Sequence, residues 1–211
     1  MASGKCPVCS GPSDKHAWDD WAKSAPCSEA CEAEGRWKLI CPPLYRESDP
    51  IRLPAAELAN VMAWRYGPQG LLLQGPTGTG KTRCAYLRLK QAHLAGTRIL
   101  AYGAAQIADA CGKAYGDGYG PAWIQNVIHA DLLFLDDLGK SVFTERADAA
   151  LFAIIEGRTA YMKPILATTN LTGQSLSDRL SPSRAAPLIR RLREFCTVVR
   201  FGQQNVENNN E

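Results

Sequence analysis

No stretch of this 211-residue sequence is both long and apolar enough to cross a membrane. A spanning helix needs roughly 20 such residues. The polar, cysteine-bearing start lacks the apolar core of a signal peptide. These absences point to a cytoplasmic protein, in a reducing compartment where disulfides are rare. Charge of one sign is also missing: the formal net charge is +3, too small to name a partner. No Asn-Lys-x-Asp occurs, so the guanine signature of a GTPase is absent, although Asp136–Gly139 satisfies D-x-x-G. Nor is there a segment of clustered arginines between the expected helices, such as closes a nucleotide kinase. The length suits one ordinary domain with a small appendage.

What is present is organised around Gly75-Pro76-Thr77-Gly78-Thr79-Gly80-Lys81-Thr82, which fills every fixed position of G-x-x-x-x-G-K-[ST]. Leu71–Leu73 before it reads as a buried parallel strand. Lys81–Leu94 after it reads as a helix that Gly96 is placed to end. A strand, a glycine loop and a helix N-terminus make an anion cradle. Backbone N–H groups turn inward onto phosphate oxygens, and the helix dipole adds positive potential. In such a cradle Lys81 reaches the β- and γ-phosphates of ATP and the Thr82 hydroxyl ligates Mg²⁺.

The second half of a nucleotide site is expected at Asp131–Gly139. Four apolar residues, Leu132 to Leu135, end in Asp136-Asp137. A buried parallel strand here delivers its carboxylates to the crevice that the glycine loop faces. Asp136 then holds Mg²⁺, directly or through water, and Asp137 orients and polarises the attacking water. Helices are expected at Ala55–Tyr66, Ala104–Ala114 and Glu145–Tyr161, with a short one opened by Pro121, and strands at Arg98–Tyr102, Pro164–Ala167 and Thr197–Phe201. Alternating in this way, they predict an α/β domain with a parallel sheet flanked by helices. Thr168-Thr169-Asn170 ends one strand. A polar residue there can sit between the glycine loop and the Asp136 strand and bond the γ-phosphate or the water; a plain strand-end turn is the alternative.

Between Asp178 and Arg200 six arginines face two acids. Leu188–Phe195 within this stretch reads as a basic amphipathic helix, either a solvated face or a surface for phosphate.

Five of the eight cysteines lie in the first 41 residues. Cys6 and Cys9 form a C-x₂-C knuckle, and Cys27 and Cys31 a C-x₃-C pair. Four thiolates in two close pairs, each pair presented by a short turn, suit tetrahedral Zn²⁺. His16 can replace one of them, and disulfides are the rival reading. Trp18 and Trp21 between the pairs fit a small core or a partner-binding patch. Four regions are expected: a zinc-binding module at 1–41, an extended linker at 42–54, an ATPase domain at 55–201 and a disordered tail at 202–211.

With these pieces in order, residues 41–201 resemble the DnaC/IstB-type AAA+ ATPases, the replicative-helicase loaders and transposition helpers. The resemblance rests on Cys41-Pro42-Pro43-Leu44-Tyr45, similar to that family's Ile-Pro-x-x-Tyr/Phe linker, and on GPTGTGKT, LLFLDDLG, LFAIIEGR and ATTN. It implies an AAA+ fold without a large C-terminal lid. Cys41 falls where the family has an apolar residue, which implies packing rather than metal binding. Thr169 and Asn170 become the sensor-1 candidates. Arg191 resembles the arginine that reaches a neighbouring subunit's nucleotide, with Arg190 and Arg193 as alternatives in register. The implied partners are a hexameric replicative helicase, engaged through the N-terminal module, single-stranded DNA, and further copies of the chain assembled through their ATP sites. The transposition helpers, which bind duplex DNA and usually lack a cysteine module, are the second branch.

Overall fold

The computed structural model describes residues 27–140, 144–171, 175, 176, 178 and 180–202, the side chains of 27–32 and 104 excepted. Five strands form one parallel sheet: β1 (Gly70–Gln74), β2 (Ile99–Gly103), β3 (Leu132–Asp136), β4 (Ile165–Thr169) and β5 (Cys196–Arg200). Their spatial order is β2-β3-β4-β1-β5. β4 thus lies between the strand leading into the glycine loop and the strand ending in Asp136. The three inner strands are buried on both faces, which is why they read as unbroken apolar runs. Leu72, Leu133, Leu135 and Ala167 enter one core, and Leu71, Leu73, Phe134 and Leu166 the other.

The helices are α1 (Cys27–Ile40), α2 (Pro43–Arg46), α3 (Ala55–Ala63), α4 (Lys81–Leu94), α5 (Ala104–Gly116), α6 (Gly120–His129), α7 (Glu145–Ala160) and α8 (Pro182–Phe195). Residues of α5 to α8 fill the first core, and residues of α1, α3 and α4 the second. α4 ends as expected: Gly96, at φ 86°, donates to His93 O at 2.9 Å.

Three expectations are corrected. Residues 42–54 are not an extended linker, because α2 and a 3₁₀ turn at Pro50–Arg52 fold them onto the domain. Tyr45 stacks on Tyr86 with ring centroids 5.0 Å apart, and Leu53 is buried. The prolines that suggested extension sit in first turns, where a missing N–H costs nothing. α8 begins at Pro182 rather than Leu188, running through Pro187. Ala185, Leu188 and Leu192 bury one face against α7, which offsets the single lost backbone bond. Cys27 and Cys31 lie not in a turn but in the continuous helix α1, whose Glu- and Ala-rich sequence favours helix.

Trp37 on α1 is buried, edge-on to Tyr86 and stacked on His93. Cys41 is fully buried in the same core, and burial pushes its thiol pKa up to about 11, so it stays protonated. That agrees with packing. Arg158 is completely buried on α7. Its guanidinium donates to the carbonyls of Val127, Ile128, Ala130, Asp131 and Pro164 at 2.6–3.3 Å. It closes the C-terminus of α6, where the helix dipole favours a cation.

Candidate nucleotide site

The glycine loop is held open by its neighbours before any ligand enters. A Cβ on Gly75 would lie 2.4 Å from Phe201 O, so β5 approaches as only glycine permits. Gly80 takes φ 90° and turns the chain into α4. The Gly75 amide donates to Thr169 O at 3.1 Å, tying the loop to β4.

Lys81 is buried, and its ammonium donates to Gly75 O at 2.8 Å and Pro76 O at 2.7 Å. Burial lowers its pKa, while Asp137 and Asp136 oppose that shift. Thr82 Oγ1 donates to Asp136 Oδ1 at 3.0 Å. Burial raises the Asp136 pKa against the hydrogen bonds from Thr168 and Thr82, and the neighbouring Asp137 charge adds to the rise. Asp137 leaves the strand at φ 55° and pairs with Lys140 at 3.1 Å.

The Thr168-Thr169-Asn170 turn divides its labour. The Thr168 hydroxyl donates to Asp136 Oδ1 at 2.6 Å and accepts the Asp137 amide at 2.8 Å. Thr169 is buried, with its hydroxyl donating to Leu138 O and accepting from Leu171 N. Its side chain therefore braces the β3–α7 loop instead of facing the glycine loop. Asn170 Nδ2 lies 3.5 Å from Thr77 Oγ1, on the glycine loop itself. The sequence offered all three polar residues here, and the family resemblance narrowed them to Thr169 and Asn170; cross-strand register decides which threonine meets Asp136. β3 and β4 pair Leu135 with Ala167, which sets Thr168 beside Asp136.

The glycine loop borders a cavity of about 830 Å³, lined by Thr77–Arg83, Asp137 and Lys140 together with Tyr45, Leu53 and Pro54. Arg83 lies 5.8 Å above the Tyr45 ring and donates to Leu44 O. The α2 segment is therefore a wall of the site. Arg190, Arg191 and Arg193 are not among the residues lining this cavity. Arg191 is held by Glu156 on α7 at 2.8 Å, and Arg190 by Glu194 at 3.8 Å. Arg193 borders a separate hollow beside Arg200.

Cys6, Cys9, His16, Trp18, Trp21 and tail residues 203–211 lie outside the described residues. Among the described residues no three His, Cys, Asp or Glu side chains cluster as a metal site, and no helix is long and apolar enough to cross a membrane.

Comparison with known proteins agrees with this geometry. Residues 50–210 match the family of IstB-like ATP-binding proteins. A Pseudomonas fluorescens protein described as an ATP-binding protein of insertion sequence IS1162 is 32% identical over 124 residues, 59% of this chain and 54% of that one. The chain spans about half the length of the curated relatives it matches. Among solved structures, AMPPCP-bound DnaA from Aquifex aeolicus superposes with TM-score 0.61 at 22% identity, covering 77% of this chain and 51% of that one. The DnaC helicase loader does so with TM-score 0.59 at 19% identity, covering 79% and 98%. At such identities these two likenesses establish the shared fold. The phosphate loop, the acidic strand end and the family match lead to one assignment: the chain belongs to the IstB-like ATP-binding family and has the α/β fold of AAA+ phosphate-loop proteins.

Proposed function

We propose that the chain is a Mg²⁺-dependent ATPase that loads a hexameric replicative helicase onto single-stranded DNA as replication starts. One convergence carries the hydrolytic part. Lys81, Thr82 and Asp137 line one ATP-sized cavity, and Asp136 and Asn170 reach its wall through hydrogen-bond contacts with Thr82 and Thr77 at the carboxyl ends of neighbouring strands. Mg²⁺ fits the donors: Thr82 Oγ1 and Asp136 Oδ1 are both hard oxygens, 3.0 Å apart. Two adjacent ligands of an octahedral ion at about 2.1 Å are separated by about that distance. Bound there, the ion would draw charge from the β- and γ-phosphate oxygens.

Lys81 exchanges the Gly75 and Pro76 carbonyls for phosphate oxygens. Asn170 and Asp137 orient a water for in-line attack. The water oxygen bonds to the γ-phosphorus, and the bond to the bridging oxygen breaks with its electrons left on ADP. Asp137 takes the water proton. The products are ADP and phosphate. Arg191 of an adjacent copy supplies the charge that the single chain lacks at the γ-phosphate.

For the loading role, the support is that the fold match spans 98% of the DnaC loader, together with the cysteine-rich N-terminal segment. That segment, with Zn²⁺ on Cys6, Cys9, Cys27 and Cys31, is the expected docking module for the helicase. The 32% identical insertion-sequence relative favours a second reading, a transposition helper on duplex DNA. ATP turnover with each DNA form separates the two, with Lys81→Ala as the inactive reference. Greater stimulation by single strands, and retention of a replicative helicase by the full chain, support loading. Greater stimulation by duplex supports the helper.

A further inference from the structure

We propose that Lys140 is a ligand of the γ-phosphate, exchanging the Asp137 carboxylate for the nucleotide when ATP enters. This rests on the ATPase reading above and assigns a residue that the glycine-loop and acidic-strand motifs do not contain. The backbone leading to Lys140 is anchored, and its side chain is largely exposed. Residues 137–140 form a tight turn, with Lys140 N donating to Asp137 O at 3.0 Å and Gly139 at φ 89°. A Cβ on Gly139 would come within 2.7 Å of Leu171 and Leu176. Buried Leu138 anchors the turn, donating its amide to Thr168 O at 2.8 Å and accepting from the Thr169 hydroxyl at 2.7 Å.

From this anchored turn the Lys140 side chain, 69% exposed, reaches Asp137 Oδ2 at 3.1 Å and lines the same cavity as Lys81 and Thr82. The other cations of that cavity are engaged elsewhere. Arg52 pairs with Asp49, Arg83 bonds Leu44 O and Ser48 Oγ, and Lys81 bonds carbonyls of the loop. Lys140 alone among them is held by the carboxylate assigned to the attacking water. An ammonium there occupies Oδ2, one of the two oxygens that can accept from the water, and draws negative charge from the carboxylate. A triphosphate arriving beside Asp137 offers the ammonium more negative charge than one carboxylate does, so transfer to the γ-phosphate is favoured and uncovers Asp137. ADP, with no γ-phosphate, leaves the pair in place. The site would therefore distinguish ATP from ADP through Lys140.

The test is equilibrium binding of ATP and of ADP, with single-turnover hydrolysis, for the parent, Lys140→Gln and Lys140→Arg. Lys140→Gln should weaken ATP about tenfold and leave ADP within twofold, and Lys140→Arg should restore most of the preference. Unchanged ADP affinity also shows that the variant is folded. Parent-like ATP and ADP affinities in Lys140→Gln, or equal loss of both, would overturn the proposal. Either result leaves the ATPase reading standing, because that reading fails only if the parent does not hydrolyse ATP.

Discussion

The Thr168 hydroxyl donates to Asp136 Oδ1 at 2.6 Å while accepting the Asp137 amide at 2.8 Å. One side chain therefore sets the positions of both acidic residues. Thr168→Val keeps the shape and removes both bonds. A hydrogen bond to a charged group is worth about 1.5–3 kcal/mol, so turnover should fall about 10- to 100-fold, with Thr168→Ser recovering most of it. The Thr168 bond also lowers an Asp136 pKa that burial has raised. Without it the carboxyl rises further. The acidic limb of the pH–rate profile, where turnover is lost as Asp136 gains a proton, should move to higher pH in Thr168→Val.

The same carboxylate opposes folding. A group whose folded pKa lies above its unfolded value binds more protons when folded, so stability falls as pH rises through that window. Asp136 is such a group by reason of its burial. Burial therefore disfavours its ionised form in the folded protein. Asp136→Asn keeps an oxygen that can accept from Thr82 and Thr168. It should raise Tm by about 2–4 °C, the effect of roughly 1 kcal/mol in a domain of this size, while losing turnover. Thermal melts from pH 5 to 8 check the sign: the gain should shrink toward low pH.

Arg158 offers a test of architecture rather than chemistry. Five carbonyls converge on its guanidinium, and an apolar replacement takes that donor from all five, with Pro164 O keeping the Leu133 amide at 3.4 Å. At about 1–3 kcal/mol for each unsatisfied group, Arg158→Met should lose at least 4 kcal/mol in urea melts. Arg158→Lys, which reaches fewer of them, should lie between.

What was legible in the sequence follows from these contrasts. The phosphate loop and the Leu132–Asp137 strand are local patterns, and their glycines and apolar runs have one physical use each. The parallel sheet flanked by helices followed from alternation, whereas the strand order did not. Thr168 was not preferred over Thr169 because register across β3 and β4 is a long-range property. Arg158 was only one residue of the expected helix Glu145–Tyr161, since nothing local signals that α6 ends against it. The α2 segment read as extended because proline marks both loops and helix starts. Lys140 lies three residues past Asp137, and only the positive φ values at Asp137 and Gly139 fold it back onto the carboxylate.

The cysteine-rich segment is tested by metal content. Cys27 and Cys31 are four residues apart on α1. Reduced protein, purified free of chelator, should hold about one Zn²⁺ per chain in a tetrahedral site. Cys9→Ser should lose it. Cys41→Ser should keep it, since that thiol lies in the core.

The last prediction is that hydrolysis requires two copies of the chain, with Arg191 supplied across their boundary. Within one chain, Lys81, Thr82, Asp136 and Asp137 account for phosphate, metal and water, but Arg191 is held by Glu156 on α7 and does not line the cavity. An arginine delivered to the γ-phosphate is worth about 10³–10⁵ in turnover in phosphate-loop enzymes. Arg191→Ala and Lys81→Ala proteins should each be inactive. Mixed, they form some interfaces that pair an intact phosphate loop with an intact arginine, so turnover should partly return and should depend on protein concentration. Glu156→Gln releases the arginine from its intrachain partner and should lower the concentration at which the parent becomes active. If Arg191→Ala alone turns over at the parent rate while losing only DNA affinity, the arginine belongs to the DNA surface and the trans role is wrong.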